Sequence, residues 1–217
     1  MRIVLASGNR NKYREMKDEL APIGVELLFG GDLDGPQDVA ETGSTYEANA
    51  KLKAEAWAKA TGLPAMSDDS GLEVNALDGA PGVHSARIVP GTDADRVTWL
   101  LSELSGKSDR SARFVSCIVT VFPGIAQPIV CERYCPGTIA AVPSGVSCFG
   151  YDPVFIPCGY DKTFAELGDG VKRKISHRAL ALKGIAEMLI HVIQYQTVRT
   201  LDDFAPGGNS PAGRYNK

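Results

Sequence analysis

The chain has 217 residues, 44% of them apolar, with 23 basic against 26 acidic side chains and a formal charge of −3. That is enough chain for one large domain or two small lobes around a sizeable core. The acidic balance excludes a broad basic face of the kind that holds DNA or RNA, but not a small anionic ligand gripped by a few local cations.

Residues 2–6 read as a short buried strand. The polar turn Ser7-Gly8-Asn9-Arg10-Asn11-Lys12 opens a helix with the stripe Tyr13, Met16, Leu20 and Ile23, closed by Gly24. A strand running through a glycine-containing turn into a helix aims backbone N–H groups at one point, a natural phosphate seat. The spacing is neither a Walker A loop nor a dinucleotide fingerprint. Lys12 opposes the helix dipole unless an anion lies beside it. Residues 25–29 form a second strand, and 30–37 a loop rich in Gly, Asp and Pro. Glu41-Thr42-Gly43-Ser44-Thr45 leads into an alanine-rich helix over about 46–60, on which Asn49 and Lys53 point the same way. Taken alone, Glu41 is equally a first-turn acid favoured by the dipole.

A short apolar run, 63–66, then ends in Asp68-Asp69-Ser70-Gly71. Ligands of α/β proteins gather past strand ends, and adjacent carboxylates there need a shared cation or a proton. Mg²⁺ is held by one or two carboxylates plus substrate phosphates. The same residues also read as plain turn chemistry, with Gly71 at positive φ. Residues 72–77 begin with strand-like alternation, and 79–87 form a turn-rich loop whose His84 reads as a surface residue. Thr92, with Asp95 three residues on, caps a helix with the stripe Val97, Leu100, Leu101 and Leu104. Residues 112–122 alternate as a long strand. Pro123-Gly124 turns it toward an antiparallel partner over 128–134, and Pro136-Gly137 breaks the chain beyond that partner.

Phe149-Gly150-Tyr151-Asp152 offers a ring face beside a permissive glycine, suited to a flat ligand; it also reads as two core aromatics flanking a turn. Ser176 N-caps a last helix with the stripe Leu182, Ile185, Leu189 and Val192. His177 and Arg178 fall in its first turn, where cations oppose the dipole unless an anionic or acceptor-rich ligand docks there. Cys117, Cys131, Cys135, Cys148 and Cys158 are odd in number and fit no zinc spacing, and so read as reduced thiols of a cytoplasmic protein. No run approaches the ~18 apolar residues of a membrane span, and the opening apolar run is too short for a signal peptide.

Seven motifs stand in order: Ser7-Gly8-Asn9 with Lys12; Glu41-Thr42-Gly43; Glu47 with Asn49 and Lys53; Asp68-Asp69-Ser70-Gly71; Gly79-Ala80-Pro81-Gly82; Phe149-Gly150-Tyr151-Asp152-Pro153; and Ser176-His177-Arg178. Together, over residues 2–193, they resemble the inosine triphosphate pyrophosphatase family, which acts on non-standard purine nucleotides. The resemblance implies an α/β, elongated two-lobed mixed-sheet fold with the active-site cleft between the lobes. It implies a pyrophosphatase domain over 1–197 with a flexible tail over 198–217, a Mg²⁺ cofactor, a homodimer and a cytoplasmic location, with neither membrane nor nucleic-acid polymer as partner.

By the same resemblance Ser7, Gly8, Asn9, Arg10, Asn11, Lys12 and Lys53 cradle a triphosphate. Glu41 and Asp69 hold Mg²⁺, Asp69 activates water, and Ser70 lies beside them on the substrate. Phe149 stacks on the base, Gly150, Tyr151 and Asp152 complete that wall, and Lys172, His177 and Arg178 read the purine edge. The implied reaction converts inosine, deoxyinosine and xanthosine triphosphates to monophosphate and pyrophosphate. Arg173, His84 and Cys148 depart from the family's usual residues. The rival readings are a Maf-like pyrophosphatase for other modified bases, a non-catalytic nucleotide sensor, and an RNA-binding module. The intact carboxylates argue against the sensor and the acidic charge against the RNA-binding module.

Overall fold

The computed structural model describes residues 1–146 and 149–203, with side chains described as far as residue 195. Cys148 and residues 204–217 lie outside the described set. Strands β1 (Arg2–Leu5) and β2 (Glu26–Phe29) pair in parallel and are joined through helix α1 (Arg10–Leu20). Helix α2 (Tyr46–Thr61) leads to β3 (Ala65–Val74), which adds in parallel to the other edge of β1. Helix α3 (Asp93–Glu103) then leads to β4 (Ser111–Val121), β5 (Ile129–Ile139) and β6 (Phe155–Pro157), each antiparallel to its predecessor in the sheet. The mixed six-stranded sheet has the order β2-β1-β3-β4-β5-β6. Helices α4 (Phe164–Leu167), α5 (Asp169–Ile175) and α6 (His177–Asp203) complete the α/β fold, the last running past the expected boundary at residue 197.

The helix starts are written in the sequence. Asn9 caps α1, accepting from the N–H groups of Asn11 and Lys12, and Thr45 caps α2. Thr92 and Asp95 form the expected capping box of α3. Helix α1 stops at Leu20, short of the apolar stripe, because Pro22 converts the next residues into a tight turn that Gly24 closes in a left-handed conformation. No helix among the described residues is long and apolar enough to cross a membrane.

Two apolar clusters divide one face of the sheet, and two smaller ones pack α2 on the other through Trp57 and Ala50. One of the larger two gathers Ile3, Leu5, Met16 and Leu20 with Met66, Ile118, Cys131 and the α6 stripe Leu182, Ile185 and Leu189. The other gathers Leu72, Val74, Phe114, Cys135 and Ile139 with Val97, Leu100 and Leu104 of α3. Each long strand, β3, β4 and β5, gives one end to each of these two clusters. Between those ends, on the same face of β3 and β4, lie Asp68, Ser70 and Ser116. The polar residues therefore sit where the two cores meet.

Two expectations fail here for physical reasons. Asp68-Asp69-Ser70-Gly71 is not a turn past a strand end: β3 runs through it without a break, paired residue for residue with β4. Gly71 is extended rather than left-handed, and its lack of a side chain serves close packing. A Cβ there would collide with the Gly82 carbonyl, the Ser85 hydroxyl and the Tyr46 hydroxyl. Nor do Pro136 and Gly137 end β5. The Pro136 carbonyl accepts from the Cys158 N–H at 2.9 Å, just beyond β6. Since N–H and C=O of one residue point the same way in an antiparallel strand, the missing proline donor lies on that side and the β4–β5 ladder loses nothing.

The collision at Gly71 gives a first test. Gly71→Ala is expected to destabilise the fold by about 1–3 kcal/mol through overpacking, read as a lower denaturant midpoint. An unchanged midpoint would show that the loop over β3 yields freely.

Candidate active site

Strand β1 stops at Leu5, and the Ala6 N–H donates to the Met66 carbonyl at 2.8 Å. Beyond Met66, β3 continues without β1 beside it, so its free edge opens both faces of the strand to one cavity of about 580 Å³. That size suits a small-molecule ligand. Successive side chains of a strand point to opposite faces. Asp68 therefore turns toward α1 and α6, and Asp69 toward α2. The adjacent carboxylates that the sequence set in mutual repulsion are kept apart by the strand itself, each with its own cations.

Asp68 is 1% exposed. Its Oδ2 accepts from Lys12 Nζ at 2.9 Å and from Arg178 Nε at 2.9 Å, and its Oδ1 from the Ser116 hydroxyl at 2.6 Å. Burial would raise its pKa, but Lys12 and Arg178 outweigh burial and hold the carboxyl far below the usual range. The charge that Lys12 and Arg178 needed is thus supplied by the protein. Arg178 continues the chain: Nη1 donates to Glu15 at 2.6 Å and Nη2 to the Ser70 hydroxyl at 3.1 Å. Glu15 in turn lies 3.8 Å from Lys172, whose ammonium pairs with Asp152 at 2.6 Å. Signs alternate without interruption from Lys12 to Asp152.

On the other face, Lys53 Nζ bridges two carboxylates, donating to Glu41 Oε1 at 2.6 Å and to Asp69 Oδ1 at 2.9 Å. Arg87 donates to the second oxygen of Glu41. Burial raises the pKa of Asp69 even beside Lys53, whereas Lys53 and Arg87 overcome burial at Glu41 and lower it. Two carboxylate oxygens already converge on one cationic centre. Among the described residues no group of three or more His, Cys, Asp and Glu side chains is arranged for a metal. The Glu41–Asp69 pair still fits Mg²⁺, which takes one or two carboxylates and leaves its other positions to substrate phosphates and water.

The ring wall resolves into two different aromatics. Tyr151 is buried in the second core and donates to the Ser85 carbonyl at 3.0 Å. Phe149 is half-buried and faces the cavity, with Lys172 Nζ 4.9 Å and Arg178 Cζ 5.8 Å from its ring centroid. Gly150, at φ +60, turns the chain between them and donates its N–H to Asp93 at 2.7 Å. His177 stacks on Phe114, with centroids 4.6 Å apart and planes 13° from parallel. Burial drives its pKa well below the ordinary value, so the ring is neutral at pH 7 and does not oppose the α6 dipole. Its Nδ1 has no hydrogen-bond partner among the described residues. Ser176 accepts from the Ala179 N–H at 3.2 Å, the expected cap.

Of the expected phosphate cradle, Ser7, Gly8, Asn9, Lys12 and Lys53 line the cavity. Arg10 turns away to Asp32 at 2.5 Å and lies over the Phe29 ring, and Asn11 faces a second cavity behind Phe149. The Asn9 cap also occupies the N–H groups of Asn11 and Lys12, at 2.9 and 3.1 Å, so they are not open donors. Glu41, Asp69, Ser70, Phe149, Gly150, Tyr151, Asp152, Lys172, His177 and Arg178 all reach the cavity. Sequence reading missed Glu15, Ser116 and Arg87. Glu15 stands one helical turn after Lys12 and was findable by spacing. Ser116 interrupts an apolar strand. Arg87, in a turn-rich loop, gave no signal.

The Ham1 family model matches residues 3–188. The chain is 45% identical over 193 residues to a protein from Haemophilus influenzae named dITP/XTP pyrophosphatase, covering 87% of this chain and 98% of that one. It is 47% identical over 194 residues to a Thermus thermophilus protein of the same name, covering 86% and 91%. A solved HAM1 protein from Coxiella burnetii superposes with a TM-score of 0.82 at 40% identity, covering 88% of this chain and 99% of that one.

The Asp68 network generates a stability test. Asp68→Asn removes the fully buried anion shared by Lys12 and Arg178, leaving Arg178 only its Glu15 partner, and is expected to cost about 3 kcal/mol at pH 7. Because the folded pKa is depressed, the wild-type stabilisation is complete above about pH 4 and is lost as pH falls below it. The gap between wild type and variant should therefore narrow in acid; a gap constant from pH 7 to pH 3 would refute the charge-based account.

Proposed function

Because the chain belongs to the Ham1 family, we infer that it hydrolyses non-standard purine nucleoside triphosphates, those of inosine, deoxyinosine and xanthosine, to the monophosphate and pyrophosphate. The observation that carries this reading is the convergence of Glu41 and Asp69 on one cation at the edge of a cavity that also holds Lys12, Phe149 and Arg178. The names of the relatives from Haemophilus influenzae and Thermus thermophilus agree with it.

Glu41 and Asp69 are the residues that would hold Mg²⁺ in this reading. The ion would supply Lewis-acid neutralisation of the phosphates and a coordinated water. Asp69 takes the proton from the water that attacks the α-phosphorus. Lys12, Lys53 and the turn Ser7-Gly8-Asn9 neutralise and seat the triphosphate, whose charge of about four negative units is the main obstacle to attack. Ser70 orients the substrate beside them.

Phe149 stacks on the base. Lys172, His177 and Arg178 read its edge, with Asp152 holding Lys172 in place. Arg178 has five N–H donors, of which three are engaged, leaving one on Nη1 and one on Nη2 for an acceptor. A 6-oxo purine supplies that acceptor; the 6-amino group of adenine does not. The same reading makes the protein a cytoplasmic homodimer, as the resemblance implies.

The deciding experiment is pyrophosphate release across a nucleotide panel, with and without Mg²⁺. Inosine, deoxyinosine and xanthosine triphosphates are expected to turn over far faster than ATP or GTP, and only with the metal; ATP cleaved as fast as inosine triphosphate would overturn the reading. Asp69→Asn is expected to lose at least about 10²-fold in kcat.

Phe149→Ala tests the clamp separately. It should raise KM by a similar factor for every purine triphosphate, since stacking ignores ring substituents. Unchanged KM values would assign the ring to packing alone.

A further inference from the structure

Among the cations paired with the carboxylates of this cavity, Arg87 differs from the rest. Lys12, Lys53, Arg96, Lys172 and Arg178 are all 18% exposed or less, whereas the Arg87 side chain is 40% exposed. Its guanidinium nevertheless lines the cavity and holds the outer oxygen of Glu41. The backbone beneath it is fixed. The Ser85 hydroxyl accepts from the Leu72 N–H at 2.8 Å and donates to the Gly82 carbonyl at 2.6 Å, and the Arg87 N–H donates to the His84 carbonyl at 2.8 Å. A rigid loop thus carries a side chain on a partly exposed ion pair, the weak kind.

We propose that Arg87 is an exchangeable counterion: it neutralises Glu41 while the metal is absent and passes to the phosphate chain of the substrate when a divalent cation takes that carboxylate. The proposal rests on the Mg²⁺ reading above. Glu41 and Asp69 with Lys53 and Arg87 form a set of four groups with no net charge. Adding a divalent cation leaves a surplus of two positive charges, which the phosphates absorb. Arg87 has only donors to offer, so once displaced from Glu41 it turns to anionic oxygens in the same cavity, and its planar fork suits phosphate. Lys53, Lys12 and Arg178 are held on mostly buried carboxylates and reach the ligand from fixed positions. Arg87 is the cation free to follow the ligand.

This predicts two effects of opposite sign in Arg87→Gln, both read by titration calorimetry without turnover. Mg²⁺ alone should bind about two- to fivefold more tightly than to wild type, because a competing cation is gone. The α,β-methylene analogue of inosine triphosphate, added with Mg²⁺, should bind about tenfold or more weakly, because a charge-assisted contact is gone. Arg87→Lys, which keeps the charge, should restore most of both. A wild type that binds the analogue equally well with and without Mg²⁺ would overturn the metal reading and the proposal with it. A Mg²⁺-dependent wild type whose Gln variant weakens both ligands, or changes neither, would overturn the counterion exchange alone.

Discussion

The buried pair of Asp68 and Arg178 is the interaction on which the arrangement of the site depends. Asp68 is fixed in the middle of β3, Arg178 in the first turn of α6, and each is nearly inaccessible to water. A buried ion pair adds little to stability over a well-packed apolar pair, but neither partner tolerates being left alone. The pair therefore acts as a positional constraint. It brings α6 onto β3, and through Lys12 and Glu15 it fixes α1 against both. With Asp68 committed to that side, strand alternation turns Asp69 toward α2, where Lys53 and Glu41 wait. The roles of the two carboxylates follow from which face each occupies.

The cavity exists because one face of the sheet serves two cores at once. Apolar residues at the two ends of β3, β4 and β5 pack into separate clusters, and β1 is too short to cover the middle of β3. A bare strand edge is normally a liability. Here its central side chains are charged, and each has a partner from a different helix. The local cost is met by ion pairs, and the opening remains available to a ligand.

Much of this was legible in the sequence, and the limits have physical causes. The caps at Thr92 and Ser176 were readable because capping is local, whereas Asn9 was read as part of a turn running to Lys12 and caps α1 instead. Most residues that line the cavity were singled out through the resemblance, whose motifs are contiguous. The continuity of β3 was not, since Asp-Asp-Ser-Gly has the composition of a turn and only the ten-residue ladder with β4 overrides it. Pro136 misled for the same reason: whether a missing donor matters depends on which neighbour it faces. His177 was read as a cation because charge was assigned from residue type, while burial sets its protonation. Arg87 lies far from Glu41 in the chain, and nothing in a turn-rich loop announces a partner on another element.

The placement of two different sets of ion-pair partners on adjacent residues of one strand limits how this sequence can change. A helix near the site can gain or lose a residue if a loop takes up the difference. Strand β3 cannot, because its period is two. A single insertion between Ala65 and Asp68 would hand the α1–α6 side a residue meant for α2, and hand α2 the residue meant for Arg178. It would also move Gly71 out from beneath the Gly82 loop. Point substitution of either aspartate removes one role. A length change exchanges both, leaving the composition of the site intact and every charge facing the wrong neighbour. Variation in the chain should accordingly collect in its connections, and the spacing from the end of α2 to Gly71 should be among the least negotiable distances in the molecule.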